Sequence, residues 1–427
     1  MQLIPTRRQF LGTALAAAST TLAHPALAQG APQVIVIGGG FAGATCAKEF
    51  KRIDPKLRVM LVETNSTFTA CPLSNGVIAG LRGLKAQQFD YEGLGAKGIG
   101  VALLSATKVD PKARTVTLAN GSSFPYERLV LAPGIDIRWG AIPGYDEKAA
   151  ERMPHAWQAG PQTMLLRQQL EAMEDGGLVV MTAPQPPYRC PPAPYERASL
   201  IAHYLKTKKP KSKIIIVDSK DTFSQQKLFQ AAWAELYKDT LEWLPLSNGG
   251  NVTEVDAKTL TVSSDFEKYE AKVANIIPPQ KAGRIADIAG VADRTGWCPI
   301  DPVTFESTLQ PNVHVIGDAA IMGAVPKSAS SAHAEAKECA TAVTKMLRGE
   351  KPSETKLIGS CYSLAAPDYG FSISGSYHAA NGLYAEEQAG VSSPADAPRE
   401  LRAKEAKDAD AWYRKITSDI FAHVKGE

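Results

Sequence analysis

Cys190 lies in Tyr188-Arg-Cys-Pro-Pro-Ala-Pro-Tyr-Glu-Arg197, just after the apolar run Leu178–Met181. A strand, a loop and a helix-like stretch in that order are where a dinucleotide-binding unit places its glycine-rich phosphate turn. Here the loop carries Pro184, Pro186, Pro187, Pro191, Pro192 and Pro194 and no glycine. Proline has no N–H to offer a pyrophosphate, so this unit has given up its pyridine nucleotide, and a thiol stands close by. Thiolates and disulfides exchange readily with sulfur nucleophiles. The pattern therefore points to a redox centre reduced by a small sulfur compound through a cysteine, and not by NAD(P)H.

An intact dinucleotide signature does exist earlier. The strand-like Val34–Ile37 runs into Gly38-Gly-Gly40-Phe-Ala-Gly43, then a helix-like Ala44–Phe50, and a second strand, Arg58–Val62, ends at Glu63. In this arrangement Gly38 makes the tight turn, and Gly40 lets the backbone approach a pyrophosphate. Gly43 allows close helix–strand packing, and Glu63 accepts the ribose hydroxyls. Two later segments fit FAD better than NAD. Tyr126–Gly134 is a strand ending in a small-residue turn, and Asn312-Val-His-Val-Ile-Gly-Asp-Ala319 is a strand closing on Gly-Asp. Both resemble segments of the two-dinucleotide-domain disulfide reductase superfamily, a resemblance that makes Asp318 the ligand of the FAD ribityl chain.

The implied fold is α/β, with two Rossmann-like dinucleotide-binding domains, the FAD domain being discontinuous, and a C-terminal α+β domain. The expected boundaries are 29–143 with 283–350 for FAD, 144–282 for the second unit without an NAD(P)H site, and 351–427 for an interface domain. Pro326-Lys327-Ser328 should open an Ala-rich helix reaching about Leu347. In the superfamily this helix points its N-terminus at the flavin pyrimidine, where its partial charge and Lys327 would favour reduced, anionic flavin. Near the C-terminus, Trp412, Ile416, Ile420 and Phe421 share one face of an amphipathic helix, expected to pack on the protein itself.

A chain of 427 residues with 44% hydrophobic and 21% charged content is long enough for two or three globular domains. Its formal charge of +3 includes Arg7 and Arg8, and so weak a balance gives no case for nucleic acid or an anionic membrane as partner. Thr6-Arg-Arg-Gln-Phe-Leu11, an apolar stretch and Ala26-Leu-Ala28 read as a twin-arginine-type export signal over 1–28, which places the mature protein in the periplasm. No stretch is long enough for stable membrane insertion. The six cysteines, Cys46, Cys71, Cys190, Cys298, Cys339 and Cys361, include no Cys-x-x-Cys, no haem-attachment motif and no metal-ligand spacing. Any haem would sit on another polypeptide. Cys46 and Cys339 read as small core residues, and Cys298 as a structural residue near the flavin edge.

Three cysteines occur in distinctive contexts: Thr69-Ala-Cys71-Pro-Leu-Ser-Asn75, Arg-Cys190-Pro-Pro-Ala-Pro-Tyr-Glu and Ser360-Cys361-Tyr-Ser. With Gly296-Trp-Cys-Pro299 and Pro326-Lys-Ser328, these segments make the chain resemble the flavoprotein subunit of flavocytochrome c sulfide dehydrogenase. The resemblance implies a thioether from Cys71 to the FAD 8α-methyl, a redox-active Cys190–Cys361 disulfide, and Glu196 as a nearby proton-moving acid. It further implies oxidation of hydrogen sulfide to sulfur or polysulfide, with electrons leaving FAD for a c-type cytochrome that carries haem c. Pro72 departs from the bulkier residue of some members. Two other activities fit the same residues: a sulfide:quinone oxidoreductase, and a flavin-bearing accessory subunit without catalysis.

Overall fold

The computed structural model describes residues 33–421. The export signal expected over 1–28 lies outside the described residues. Strand β1 (Val34–Ile37) leads through the glycine turn into helix α1 (Phe41–Ile53), and β2 (Val59–Glu63) follows. After the short helix α2 (Ser74–Ile78) come β3 (Gly100–Leu103) and β4 (Arg128–Leu131). The chain then leaves this layer through α3 (Pro161–Ala172), β5 (Leu178–Ala183) and α4 (Ala193–Lys208). It continues through β6 (Lys213–Asp218), α5 (Gln226–Leu236), β7 (Leu241–Leu244) and β8 (Val273–Asn275). Strand β9 (Val313–Val315) returns to the first layer and pairs with β4, giving the parallel order β9-β4-β1-β2-β3. The intervening strands form a second parallel sheet, β7-β6-β5-β8. Mixed α/β architecture with two Rossmann-like sheets is thus the fold. Both sheets have their central strands buried on both faces, the second packing one face on an antiparallel three-stranded sheet over 252–270, which is why β1 and β6 read as apolar runs and do not alternate.

After β9, helix α6 (Ala329–Leu347) packs across α1, with Cys46 and Cys339 fully buried side by side in that contact. Both are core residues, as their Ala-rich surroundings suggested. The chain ends in an antiparallel sheet of β10 (Lys356–Ala366), β11 (Tyr369–Ala380) and β12 (Leu383–Ser392), followed by α7 (Arg399–Ile420). Helix α4 is the helix-like stretch expected after the proline loop. Pro192 and Pro194 fall at its N-cap and first turn, where a missing N–H breaks no intrahelical bond.

Helix α7 packs on the first Rossmann-like layer. Ile416 and Ile420 are buried, and Phe421 stacks on Phe89 at 5.0 Å and on Phe68 at 5.3 Å between ring centroids. Tyr413 donates to Ala86 O at 3.1 Å, and Arg82 pairs with Asp410 at 2.9 Å. This contact holds the C-terminal region over the loop that carries Cys71. Phe421→Ala should remove about 3–5 kcal/mol of packing. A lowered melting temperature with the second sheet's signals intact is the expected outcome, read by calorimetry and by hydrogen exchange over residues 68–91 and 399–421.

Candidate functional site

The glycine turn is set by backbone approach. Gly38 has φ of +103°, and a Cβ on Gly43 would lie 1.8 Å from Gly38 O, so neither position admits a side chain. Gly40 differs, because a Cβ there would meet only the Phe68 ring at 3.5 Å; only a ligand would require glycine at that position. Glu63 accepts Gly39 N–H at 2.7 Å and Asn65 N–H at 2.9 Å, which fixes the carboxylate at the end of β2 with lone pairs to spare. Tyr91 has no motif around it that singles it out. Its buried hydroxyl would sit 2.5 Å from a Gly39 Cβ and has no protein partner.

The three cysteine segments converge beside this turn. Cys71 Sγ lies 3.9 Å from Trp157 O, which also accepts from Arg189 Nη2. Arg197 stacks over the Trp157 ring at 4.9 Å. Cys190 adopts φ of +55°, a left-handed conformation rare outside glycine, and its N–H donates to Lys327 O at 2.7 Å. That bond seats the proline loop against the start of α6. There Ser328 caps the helix by accepting Ser331 N–H at 3.2 Å. Ser360 N–H donates to Ser330 Oγ at 3.1 Å, so the strand of Cys361 is tied to the same turn. Cys190 and Cys361 are free thiols in this structure, near enough for each other's charge to matter.

Glu196 is buried at the centre. It accepts Asn75 Nδ2 at 2.8 Å through one oxygen and Leu364 N–H at 3.2 Å through the other. Asn75 follows Cys71 on α2 and Leu364 follows Cys361 on β10, so this carboxyl joins all three cysteine segments. Burial raises its pKa to about 7, with Asn75, Leu364 N–H and Arg197 pulling the other way. Burial also pushes the Cys190 thiol well up, helped by Cys361 and Glu196 and opposed by Arg189. The Cys361 thiol is raised by burial too, against the Ser328 hydroxyl. Arg189 stays charged despite burial, because Cys71, Asp318 and Cys190 surround it.

Lys327 does not project freely toward a ligand. Its ammonium donates to Asp318 O and Ala320 O, each at 2.7 Å, and lies 4.1 Å from the Trp297 ring centroid. Cys298 is buried in the same corner, and Lys327 opposes the rise that burial imposes on its thiol. Asp318 Oδ1, Trp157 Nε1, Gln280 Nε2 and Tyr91 OH are buried polar atoms without protein partners. Each adjoins the glycine turn or the cysteine cluster. A row of unmet donors and acceptors running from a pyrophosphate cradle to a thiol pair fits an extended dinucleotide such as FAD. Arg189, Arg197, Trp157, Asn75 and Tyr91 were not anticipated as site residues. Only Arg189 and Arg197, flanking Cys190, carried a sequence signal that could have marked them.

In the second sheet, Asp218 ends β6, where a nucleotide-binding unit keeps its ribose acid. Here it is fully buried and already bonded to Tyr195 OH at 2.6 Å, Trp243 Nε1 at 2.9 Å and Lys220 Nζ at 2.5 Å. Tyr195 in turn stacks on Phe223 with 3.5 Å between centroids.

Comparison with known families finds three matching regions. Residues 32–162 match the pyridine nucleotide-disulphide oxidoreductases. Residues 163–278 match the central region of the sulfide dehydrogenase [flavocytochrome c] flavoprotein chain, and 353–421 match the flavin-binding region of flavocytochrome c sulphide dehydrogenase. The mitochondrial sulfide:quinone oxidoreductase of Mus musculus is 24% identical over 305 residues, 67% of this chain and 65% of that protein. The sulfide dehydrogenase [flavocytochrome c] flavoprotein chain of Chlorobaculum thiosulfatiphilum is 48% identical over 48 residues, which is 11% of this chain and 100% of that sequence. The crystal structure of sulfide:quinone oxidoreductase from Aquifex aeolicus superposes with a TM-score of 0.73 at 17% identity, over 92% of this chain and 93% of that one. With a flavin-binding region, a glycine cradle and a thiol cluster joined in one site, the chain belongs to the flavoproteins of the sulfide dehydrogenase and sulfide:quinone oxidoreductase type.

Proposed function

We propose that this protein oxidises hydrogen sulfide through Cys190 and Cys361 and passes the electrons by way of FAD to a c-type cytochrome. The observation that carries the reading is the convergence of both thiols on one buried carboxyl beside the dinucleotide cradle. In the oxidised form Cys190 and Cys361 share a disulfide. Hydrosulfide attacks Cys190 Sγ, a new S–S bond forms there, the Cys190–Cys361 bond breaks, and Cys361 leaves as a thiolate. Glu196, poised near neutrality, takes the proton of the incoming sulfur. Burial makes the Cys361 thiolate costly, so its electron pair is readily surrendered. When bound, FAD supplies the two-electron sink and can release electrons singly. A second hydrosulfide takes the outer sulfur from Cys190 as polysulfide, the Cys190–S bond breaks to a thiolate, and the two cysteine sulfurs give up two electrons as their disulfide reforms.

Gly38, Gly40, Gly43, Glu63 and Tyr91 would hold the adenosine and pyrophosphate, and Asp318 the ribityl chain. Cys71 would hold the flavin 8α-position as a thioether. The prior commitment of Asp218 and the proline loop support a sulfur reductant over NAD(P)H. The matches to flavocytochrome c flavoprotein regions support a cytochrome acceptor with haem on a partner subunit, and a periplasmic location suits such a partner. A second reading, with quinone as acceptor, draws support from the relatives in mouse and A. aeolicus. Among the described residues no helix is long and apolar enough to cross a membrane.

In a Cys71→Ser background, Asp318→Ala should weaken flavin binding about ten- to a hundredfold, the worth of about 1.5–3 kcal/mol for a hydrogen bond from a charged group. Fluorescence titration with FAD checks it. For the activity, anaerobic sulfide should bleach the flavin or raise a long-wavelength band, NADH should not, and Cys190→Ser should abolish the response. An unresponsive wild-type flavin would refute sulfide oxidation and favour an accessory subunit. Turnover with a soluble cytochrome c against a short-chain quinone separates the two acceptors.

A further inference from the structure

Asn75 belongs to no step described so far, yet it stands between the two most deeply buried charged groups of the site. It is buried in the first turn of α2. Its Oδ1 accepts from Arg197 Nε at 3.0 Å, while its Nδ2 donates to Glu196 Oε1 at 2.8 Å. Arginine can only donate, so the amide has one workable orientation, with its N–H₂ on the carboxyl. Arg197 has no need of Glu196. Its other donors go to His155 O at 2.9 Å, Ala156 O at 2.6 Å and Asn275 Oδ1 at 3.0 Å. Asn275 is itself pinned to Pro154 O and His155 O. The guanidinium is thus held in place from three sides, with the amide filling the gap on the fourth.

Direct contact between a guanidinium and a carboxylate in such a setting would fix the carboxylate in its ionised form. A carboxyl locked in that way could not trade protons near neutral pH. The asparagine lets the positive charge be felt through a neutral dipole and supplies a single hydrogen bond to the carboxyl. The charged and titratable groups facing Glu196 are Arg197 on its own helix, Cys190 on the preceding loop and Cys361 on β10. Uncharged donors are Asn75 on α2 and Leu364 N–H on β10.

We propose that Asn75 is a positioning residue that insulates Glu196 from Arg197 and keeps its carboxyl able to exchange a proton during sulfide oxidation. This rests on the sulfide reading for its role in turnover, but not for its effect on the carboxyl itself. Asn75→Asp is the sharpest probe. It is isosteric, it keeps an acceptor for Arg197, and it replaces the donor facing Glu196 with a carboxylate oxygen.

Two readouts on the flavin-loaded protein decide the matter. Difference infrared spectroscopy follows the protonated Glu196 carbonyl band across pH, assigned by its loss in Glu196→Gln and in the double variant. Stopped-flow follows the pH profile of flavin reduction by sulfide. The expected result for Asn75→Asp is a carbonyl titration moved up by at least about one pH unit. The acid limb of the reduction profile moves with it, an about tenfold slower reduction well below neutrality. Asn75→Ala, which opens the gap and lets the Arg197 guanidinium reach the carboxylate, should move both in the opposite direction. An unmoved carbonyl titration in Asn75→Asp, with flavin content and melting temperature retained, overturns the inference and leaves the sulfide reading standing. A shifted titration in a protein whose wild-type flavin ignores sulfide supports the insulation and defeats the sulfide reading. A purely structural asparagine would change stability and leave both pH dependences where they are.

Discussion

The site depends on one buried carboxyl. Glu196 sits where three segments distant in sequence meet, and its two oxygens divide between them, one toward the amide behind Cys71 and one toward the backbone behind Cys361. Its own helix follows the loop of Cys190. Burying a carboxyl is costly unless its hydrogen bonds are met; here both oxygens have partners, but its charge has no direct counterion among the ion pairs of the described residues. The balance leaves it near pKa 7. A fully paired carboxylate would be inert, and an unmet one would unravel the junction. The geometry that joins the cysteine segments is therefore the same geometry that sets the acid's proton affinity.

Much of this was legible in the chain. The spacing of Gly38, Gly40 and Gly43, with Glu63 at the end of the next strand, encodes a local strand–turn–helix that needs no distant partner. The proline loop was equally plain, because six prolines without glycine forbid a phosphate turn by covalent structure alone. The apolar face of α7 was readable from helical periodicity. What could not be read were the pairs closed by the fold. Asn75 and Glu196 are 121 residues apart, and Arg197 reaches Asn75 across 122. No local pattern distinguishes Asn75 from any other asparagine early in a helix. Only the folded chain shows that Cys71, Arg189 and Arg197 all meet Trp157. Lys327 shows the opposite limit. Its place before α6 was clear, yet its ammonium turns back onto Asp318 O and Ala320 O.

The second Rossmann-like sheet has the frame of a nucleotide-binding unit with its ligand positions taken up by side chains. Its strand order and its acid at the end of β6 remain, but Tyr195, Trp243 and Lys220 occupy that acid. The loop that would have wrapped a pyrophosphate instead carries Cys190 in a left-handed turn, clamped to Lys327 O. On the proposed sulfide reading, a rigid loop would hold this thiol in place for a second thiol and an incoming sulfur. Proteins similar to this chain are named for sulfide with quinone or with flavocytochrome c.

The central claim is that the sulfur of sulfide is first taken up on Cys190. Brief anaerobic reaction of the oxidised protein with sulfide, rapid alkylation and peptide mass spectrometry would locate it. The account predicts one or more additional sulfur atoms on the peptide containing Cys190, with Cys361 alkylated as a simple thiol. Added sulfur on Cys361 alone, on another cysteine, or on none would contradict it.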